Sequence, residues 1–301
     1  MTAVDDAAEQ HLAAGDPSGA LAALQERVRA RPADAPARVF LFQLLCVLGQ
    51  WSRAGNQLEV AAELDSRNLL MARTCRELLR CEALREAVFD GRRAPMVLGE
   101  PPPWIASLVQ ALPLAAAGDG AAAARLADDA FERAAPRAGR LGGTSSDEES
   151  PEGVVVPGVG AAGIAFDWIG DADMRLGPVL EAMFDGKYCW VPFERLAGLV
   201  LEPPSDLRDL VWTPAEFQWD GGGRSVGFVP TRYPRVARAD EAVSPVDPAC
   251  LMARRSDWTD LGGDYFTGRG QRVFASSAGD HALLDCRTLQ FGTPDDRGAD
   301  A

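Results

Sequence analysis

The sequence predicts a multidomain protein of mixed class, all-α over residues 1–140 and a small β-rich α+β domain over 164–301, with 141–163 as linker. Three observations predict it. The first 140 residues carry helical apolar spacing and a self-similarity at an offset of 34 residues. A Gly-, Ser- and Pro-rich stretch with a short acid run then interrupts the pattern. Beyond it, short apolar runs alternate with Pro and Gly turns. At 301 residues the chain exceeds one small domain, and each part is long enough to bury its own core.

At the 34-residue offset, Gly15 falls on Gly49, Ala20 on Ala54 and Leu24 on Leu58. A glycine tolerates the left-handed conformation that ends a helix, and a small residue lets two helices cross closely. Asp16-Pro17-Ser18 supplies a helix start, with proline where its missing N–H costs nothing. Val39, Phe40, Leu44, Leu45, Val47 and Leu48 form a stripe broad enough for a helix buried on two sides. Further helices are expected over 68–90, 104–117 and 120–135, the last two meeting at Gly118-Asp119-Gly120. The period is that of tetratricopeptide (TPR) hairpins, so a TPR-like repeat is expected. The competing reading is a plain helical bundle. Two matching units are fewer than the roughly three a repeat stack needs, so later helices or the second domain must cap it. Such repeats present a concave face to a peptide or helix, which points to recognition.

Residues 137–163 cannot bury a core. They contain Gly158, Gly160 and Gly163 after Val154–Val156, a formal GxGxxG match. Pro157 interrupts the strand-to-turn step, no βαβ alternation follows, and Asp185, the acid nearest the required distance, sits in an Asp-Gly turn. A nucleotide site is therefore not expected, and no cofactor is. In the second half, Asp173 is placed to cap a helix running to Phe184, with Leu176, Val179, Leu180 and Met183 inward and Asp185-Gly186 ending it. Strands are expected at 188–191, 225–230, 272–275 and 281–291, giving a small antiparallel, partly barrel-like sheet with one or two helices.

Composition narrows the function. No apolar run spans a bilayer, and the acidic start MTAVDDAAEQHL lacks the pattern of a signal peptide, so a cytoplasmic protein with no membrane association is expected. Six scattered cysteines and two histidines give no metal spacing, and reduced, buried thiols are expected. The net charge of −14 is concentrated in the second half: residues 1–140 hold 18 acids and 16 arginines, the remainder 26 acids and 14 bases. Such a surface repels nucleic acid and would favour a basic partner segment, and solubility alone explains it equally well.

Several motifs occur together in order: FDWIGDADMRLGPVLE, GKYCWVPFERL, DLRDLVW, the Pro230-Thr-Arg-Tyr233-Pro234 turn, Ser256-Asp257-Trp258, Gly268-Arg-Gly270-Gln271-Arg272 and LLDCRTLQF. Over about residues 164–292 this pattern resembles the ImpE/SciE/TagJ family of type VI secretion accessory proteins. It departs in its longer acidic linker and in CLMARRSDW, where the family pattern has a leucine-glycine-arginine lead. The resemblance implies a non-enzymatic adaptor that holds the N-terminal helix of the small sheath subunit, influencing sheath stability or its recycling by a ClpV-type unfoldase. It implies no catalytic residues, and the chain leaves monomer or homodimer open. The candidates for partner binding are Asp167, Trp168, Asp171, Asp173, Arg175, Trp190, Arg208, Asp209 and Trp212, since aromatic and Arg anchors dominate interfaces. The alternatives are core positions for the tryptophans, and internal pairing of Arg175 and Arg208 with Asp171 or Asp209. Asp167, Asp171 and Asp173 fit helix capping better than a Mg²⁺ or Ca²⁺ site. A generic scaffold outside secretion, or a metal- or nucleotide-dependent enzyme, is the rival function.

Overall fold

The computed structural model describes residues 3–143, 163–234 and 247–292, with side chains from residue 7. Helices come first and pack in consecutive pairs: α1 (Ala3–Ala13) with α2 (Pro17–Ala30), α3 (Ala35–Val47) with α4 (Trp51–Leu64), and, after the long α5 (Leu69–Phe89), α6 (Ile105–Ala116) with α7 (Gly120–Arg133). Each pair turns on a left-handed glycine, Gly15 (φ +77°), Gly49 (φ +67°) or Gly118 (φ +82°), where a Cβ would strain the backbone. Asp16, Asp34 and Asp119 each cap the following helix by accepting a backbone N–H at 2.8–3.0 Å. The self-aligned residues Ala20, Ala54, Leu24 and Leu58 are all buried. So are Leu41, Phe42, Leu44, Leu45, Cys46 and Val47, which leaves α3 covered on most of its circumference.

The sheet strands are β1 (Met96–Val97), β2 (Gly139–Gly143), β3 (Ile164–Phe166), β4 (Ile169–Asp171), β5 (Val179–Phe184), β6 (Lys187–Pro192), β7 (Leu196–Leu201), β8 (Trp212–Trp219) and β9 (Arg224–Pro230). After the one-turn α8 (Pro248–Leu251) come β10 (Ser256–Asp260), β11 (Phe266–Gly270), β12 (Val273–Ser276), β13 (Gly279–Ala282) and β14 (Cys286–Phe291). Nine of them form one sheet in the order β1-β6-β5-β9-β8-β7-β14-β2-β3, antiparallel except for the parallel β1–β6 pair. β13-β12-β4 and the ribbon β10-β11 form two smaller sheets.

The helix expected over 173–184 is a bend followed by strand β5. Val179 and Met183 join the core under the helices, whereas Leu180 and Ala182 join the core on the opposite face. A strand buried on both faces is a continuous apolar run, which periodicity cannot distinguish from a buried helix. Asp185 (φ +52°) and Gly186 (φ +68°) then make a two-residue hairpin turn to β6, a type I′ geometry rather than a helix end. Likewise, the strand expected over 281–291 is two strands, separated by a single turn at Leu283–Asp285.

The helical and sheet halves share one apolar core. Leu24, Phe42 and Leu108 belong to the same buried cluster as Val179, Met183, Trp190 and Trp212. β1 enters the sheet from the helical half, and β2 lies on both sides of the expected 140/141 boundary, pairing with β14 and β3. The acid run of 147–149 and the GxGxxG stretch before Gly163 lie outside the described residues. Leu58→Ala should cost about 2–5 kcal/mol, whereas Leu70→Ala should change stability by less than about 0.5 kcal/mol. Leu58 is 1% exposed and Leu70 78%, so urea unfolding of the two variants tests the assigned helix faces directly.

Candidate interaction site

Charged side chains fill the space between α5 and the sheet. Glu181 on β5 is fully buried and receives Arg85 Nε at 2.7 Å, Arg85 Nη2 at 2.9 Å, the Tyr188 hydroxyl at 2.6 Å and a short bond from Arg272 Nη2. Arg272 also bonds Asp171, and Arg85 reaches Glu82 at 3.3 Å. Trp190 Nε1 donates to Tyr188 at 2.8 Å, and Trp212 Nε1 to Glu82 at 2.9 Å. Burial raises the Glu181 carboxyl, but the Arg85 and Arg272 guanidiniums outweigh it and hold the group down at about 2. For Asp171 burial outweighs Arg272, the Asp173 and Glu181 carboxylates push the same way, and the group sits up at about 7.

Six of the nine residues singled out from sequence lie in the interior: Asp171, Asp173, Arg175, Trp190, Asp209 and Trp212. Asp173 caps no helix. It accepts Gly268 N–H at 2.7 Å and Arg175 Nε at 2.8 Å, fastening the 173–175 bend to β11. Arg175 and Arg208 pair with neither Asp171 nor Asp209. Each takes the aspartate two residues before it, Asp173 or Asp206, in a turn where one carboxylate accepts both the arginine's backbone N–H (2.9 and 2.8 Å) and its guanidinium. The spacing D-x-R carries this signal, and Asp65-Arg67 repeats it. Asp167 and Trp168 are exposed, the latter at 46%, and Arg208 is half-buried against Cys75.

Sequence reasoning missed Arg85, Glu82, Glu181, Tyr188 and Arg272. Glu181, Tyr188 and Arg272 lie within the ordered motifs, but the misassigned helix hid the alternation that turns Glu181 toward α5. Arg272 and Asp171 are 101 residues apart, beyond any local pattern.

Where α1 and α3 meet the 202–210 segment there is an apolar groove of about 370 Å³, floored by Leu12, Phe40, Leu207 and Leu210 and edged by Glu9 and Asp206. The DLRDLVW motif builds one wall. Asp209 accepts Ser205 N–H at 2.7 Å, Ser205 Oγ–H at 2.9 Å and Asp206 N–H at 3.1 Å, and Arg208 clamps Asp206, so the turn bearing Leu207 is fixed. Elsewhere, Ser276 Oγ lies 3.0 Å from His281 Nε2, but it also contacts the Gly279 carbonyl at 3.0 Å and accepts Ala278 N–H at 3.1 Å, which makes it a turn brace. The six cysteines are free and buried. Among the described residues no helix is long and apolar enough to cross a membrane.

Helical pairs joined to a mixed sheet by buried arginine–carboxylate bonds define a protein of mixed α/β class. Residues 163–290 match the ImpE protein family. Over 288 residues, 96% of this chain and 92% of the relative, the sequence is 46% identical to the type VI secretion system accessory component TagJ of Pseudomonas aeruginosa. The crystal structure of protein VPA1032 from Vibrio parahaemolyticus shares the fold with a TM-score of 0.79 at 25% identity, over 96% of this chain and 99% of that one. The chain thus belongs to the ImpE/TagJ family of type VI secretion accessory components, and the likeness runs through the helical half as well as the sheet.

The ordinary values are 4.5 for Glu181 and 3.8 for Asp171, so the two shifts act in opposite directions. Glu181, depressed in the fold, contributes stability above its ordinary value that is lost as pH falls toward about 2. Asp171, elevated, contributes stability below its ordinary value that is lost as pH rises through about 7. Glu181→Gln should cost about 3–5 kcal/mol at neutral pH, because Arg85 and Arg272 lose their buried counter-charge, and should flatten the acid limb of the stability curve. Asp171→Asn should flatten the curve between about pH 4 and 8. Urea midpoints across pH measure both; a variant that keeps the parent's slope in its window contradicts the assignment.

Proposed function

We propose that this chain is a non-catalytic cytoplasmic adaptor of type VI secretion whose TPR-like helical pairs, or their seam with the sheet, hold the N-terminal helix of the small sheath subunit. The 46% identity to TagJ over 96% of the chain supports the type VI accessory part of this reading. The internal chemistry supports it: Asp171 and Asp173, two of the three aspartates that could have formed a metal or acid–base site, are engaged by arginines and backbone N–H groups, which leaves them struts. Binding there would alter sheath stability or access of a ClpV-type unfoldase. Asp167, Trp168 and Arg208 are the candidates for direct contact, while the six buried candidates hold the frame.

The purified chain should capture the small sheath subunit of its own host, and deleting that subunit's N-terminal helix should abolish capture at low and moderate salt. Absence of capture from the intact subunit would remove the sheath assignment. Arg208→Ala should weaken capture roughly tenfold, as expected of an interface arginine; unchanged capture by a folded variant would take Arg208 out of the interface.

A further inference from the structure

The outer face of α4 and α5 carries two stripes of opposite charge. Arg76 Nε lies 4.0 Å from Glu59, and a Cβ added at Gly55 would lie 3.7 Å from Leu79 Cδ1, so the two helices run side by side in antiparallel sense. That register sets Glu63, one turn beyond Glu59 on α4, level with Arg73, one turn before Arg76 on α5. All four side chains are exposed, and Glu63 and Arg73 form no ion pair among the described residues. The neighbouring charges do not blur the pattern. Asp65 is closed onto Arg67 at 2.7 Å, Glu77 is half-buried against Gly186 at the β5–β6 turn, and Arg80 extends the basic stripe by a further turn. Where α4 gives way to α5, Leu64, Leu69 and Leu70 are 42%, 57% and 78% exposed, an apolar corner at one end of the charged face.

We propose that this face is the two-fold interface of a homodimer. An axis between α4 and α5, parallel to both, lays α4 of one copy over α5 of the other in antiparallel sense. Glu59 and Glu63 of each copy then meet Arg76 and Arg73 of the other, and the leucine corner meets its own image, since an isologous contact pairs each patch with its symmetry mate. The charge pattern selects this occupant. A uniformly acidic or uniformly basic surface would be drawn to one stripe and repelled by the other, whereas the face rotated onto itself matches both. At about 1.5 Å of rise per residue and about 10 Å of width per helix, the face offers roughly 400 Å² per copy, half of what a standard stable interface buries, so the dimer is reversible and salt-sensitive. The inference does not rest on the adaptor reading, because it uses a different face and a different partner.

The test is sedimentation velocity on the full chain at low salt, where the sedimentation coefficient should rise with concentration over roughly 10–200 μM, and where half-molar salt should weaken association about tenfold. Glu63→Arg alone, or Arg73→Glu alone, sets like charges against each other twice across the axis and should weaken the dimer about tenfold or more. An equimolar mixture of the two variants should recover association close to the parent's, because every pair across the axis is then opposite in sign. Leu70→Ser should weaken it about fivefold. All these substitutions lie at exposed positions, so the variants keep the fold, and recovery on mixing reports the contact itself. A parent that stays monomeric across the range overturns the proposal, as does a dimer that both charge variants leave unchanged or a mixture that associates no better than its components. Should the parent be monomeric while Arg73→Glu loses capture of the small sheath subunit, the face belongs to the sheath partner and the dimer is removed; a dimer that follows the variants while sheath capture is absent or unaltered keeps the interface, whatever becomes of the adaptor reading.

Discussion

Glu181 sits between two guanidiniums with no access to water, and the relation of the helices to the sheet depends on it. A carboxylate taken out of solvent carries a penalty of several kcal/mol unless its lone pairs are satisfied. Here Arg85 comes from α5, Arg272 from the residue before β12 and Tyr188 from β6, so satisfying one carboxylate ties α5 and the entry to β12, both distant in the chain, to the β5–β6 hairpin. Sliding α5 along the sheet would strand both arginines and the acid together. The apolar core around Trp190 and Trp212 drives the layers together, but it tolerates small displacements that the bidentate bonds do not.

Other arginines extend the same principle. Arg232 donates to the carbonyls of Cys46 (3.3 Å) and Val47 (2.7 Å) at the C-terminal end of α3, where Cys46 also accepts Gly49 N–H at 3.0 Å. Arg85 in turn reaches the Arg232 carbonyl at 2.7 Å, which joins this contact to the Glu181 cluster. The DLRDLVW segment is braced from both sides, by Asp209 within the turn and by Thr231, whose hydroxyl donates to the Asp209 carbonyl at 2.7 Å.

The legible parts of the sequence were the ones fixed by neighbours in the chain. The glycine turns at Gly15, Gly49 and Gly118, the Asp caps and the broad stripe of α3 each need only a few adjacent residues to specify them. The β6, β9 and β12 strands were legible as well, being short apolar runs between turns. β5 was not, because both its faces are buried and its only clue, Asp185-Gly186, reads equally as a helix end or a hairpin. β1 has two residues and β2 is mostly glycine, so neither carries a strand's pattern, and partners elsewhere in the sheet impose their conformation.

By itself the sequence determined the helical pairs, the compositional break, the acidic balance and, through ordered motifs, the family. Tertiary structure decided which charges meet. Arg175 and Arg208 fold back onto Asp173 and Asp206 through local turns, but Arg272 finds Asp171 and Glu181, and Arg85 finds Glu181, across 91 to 101 residues. It also turned Trp190 and Trp212 inward, left Trp168 outside, and set Leu207 opposite Phe40. The physical reason is that caps, turns and periodicity are short-range properties of the backbone. The pairing of a buried ion and the facing of two walls depend on packing that exists only once distant segments share one core.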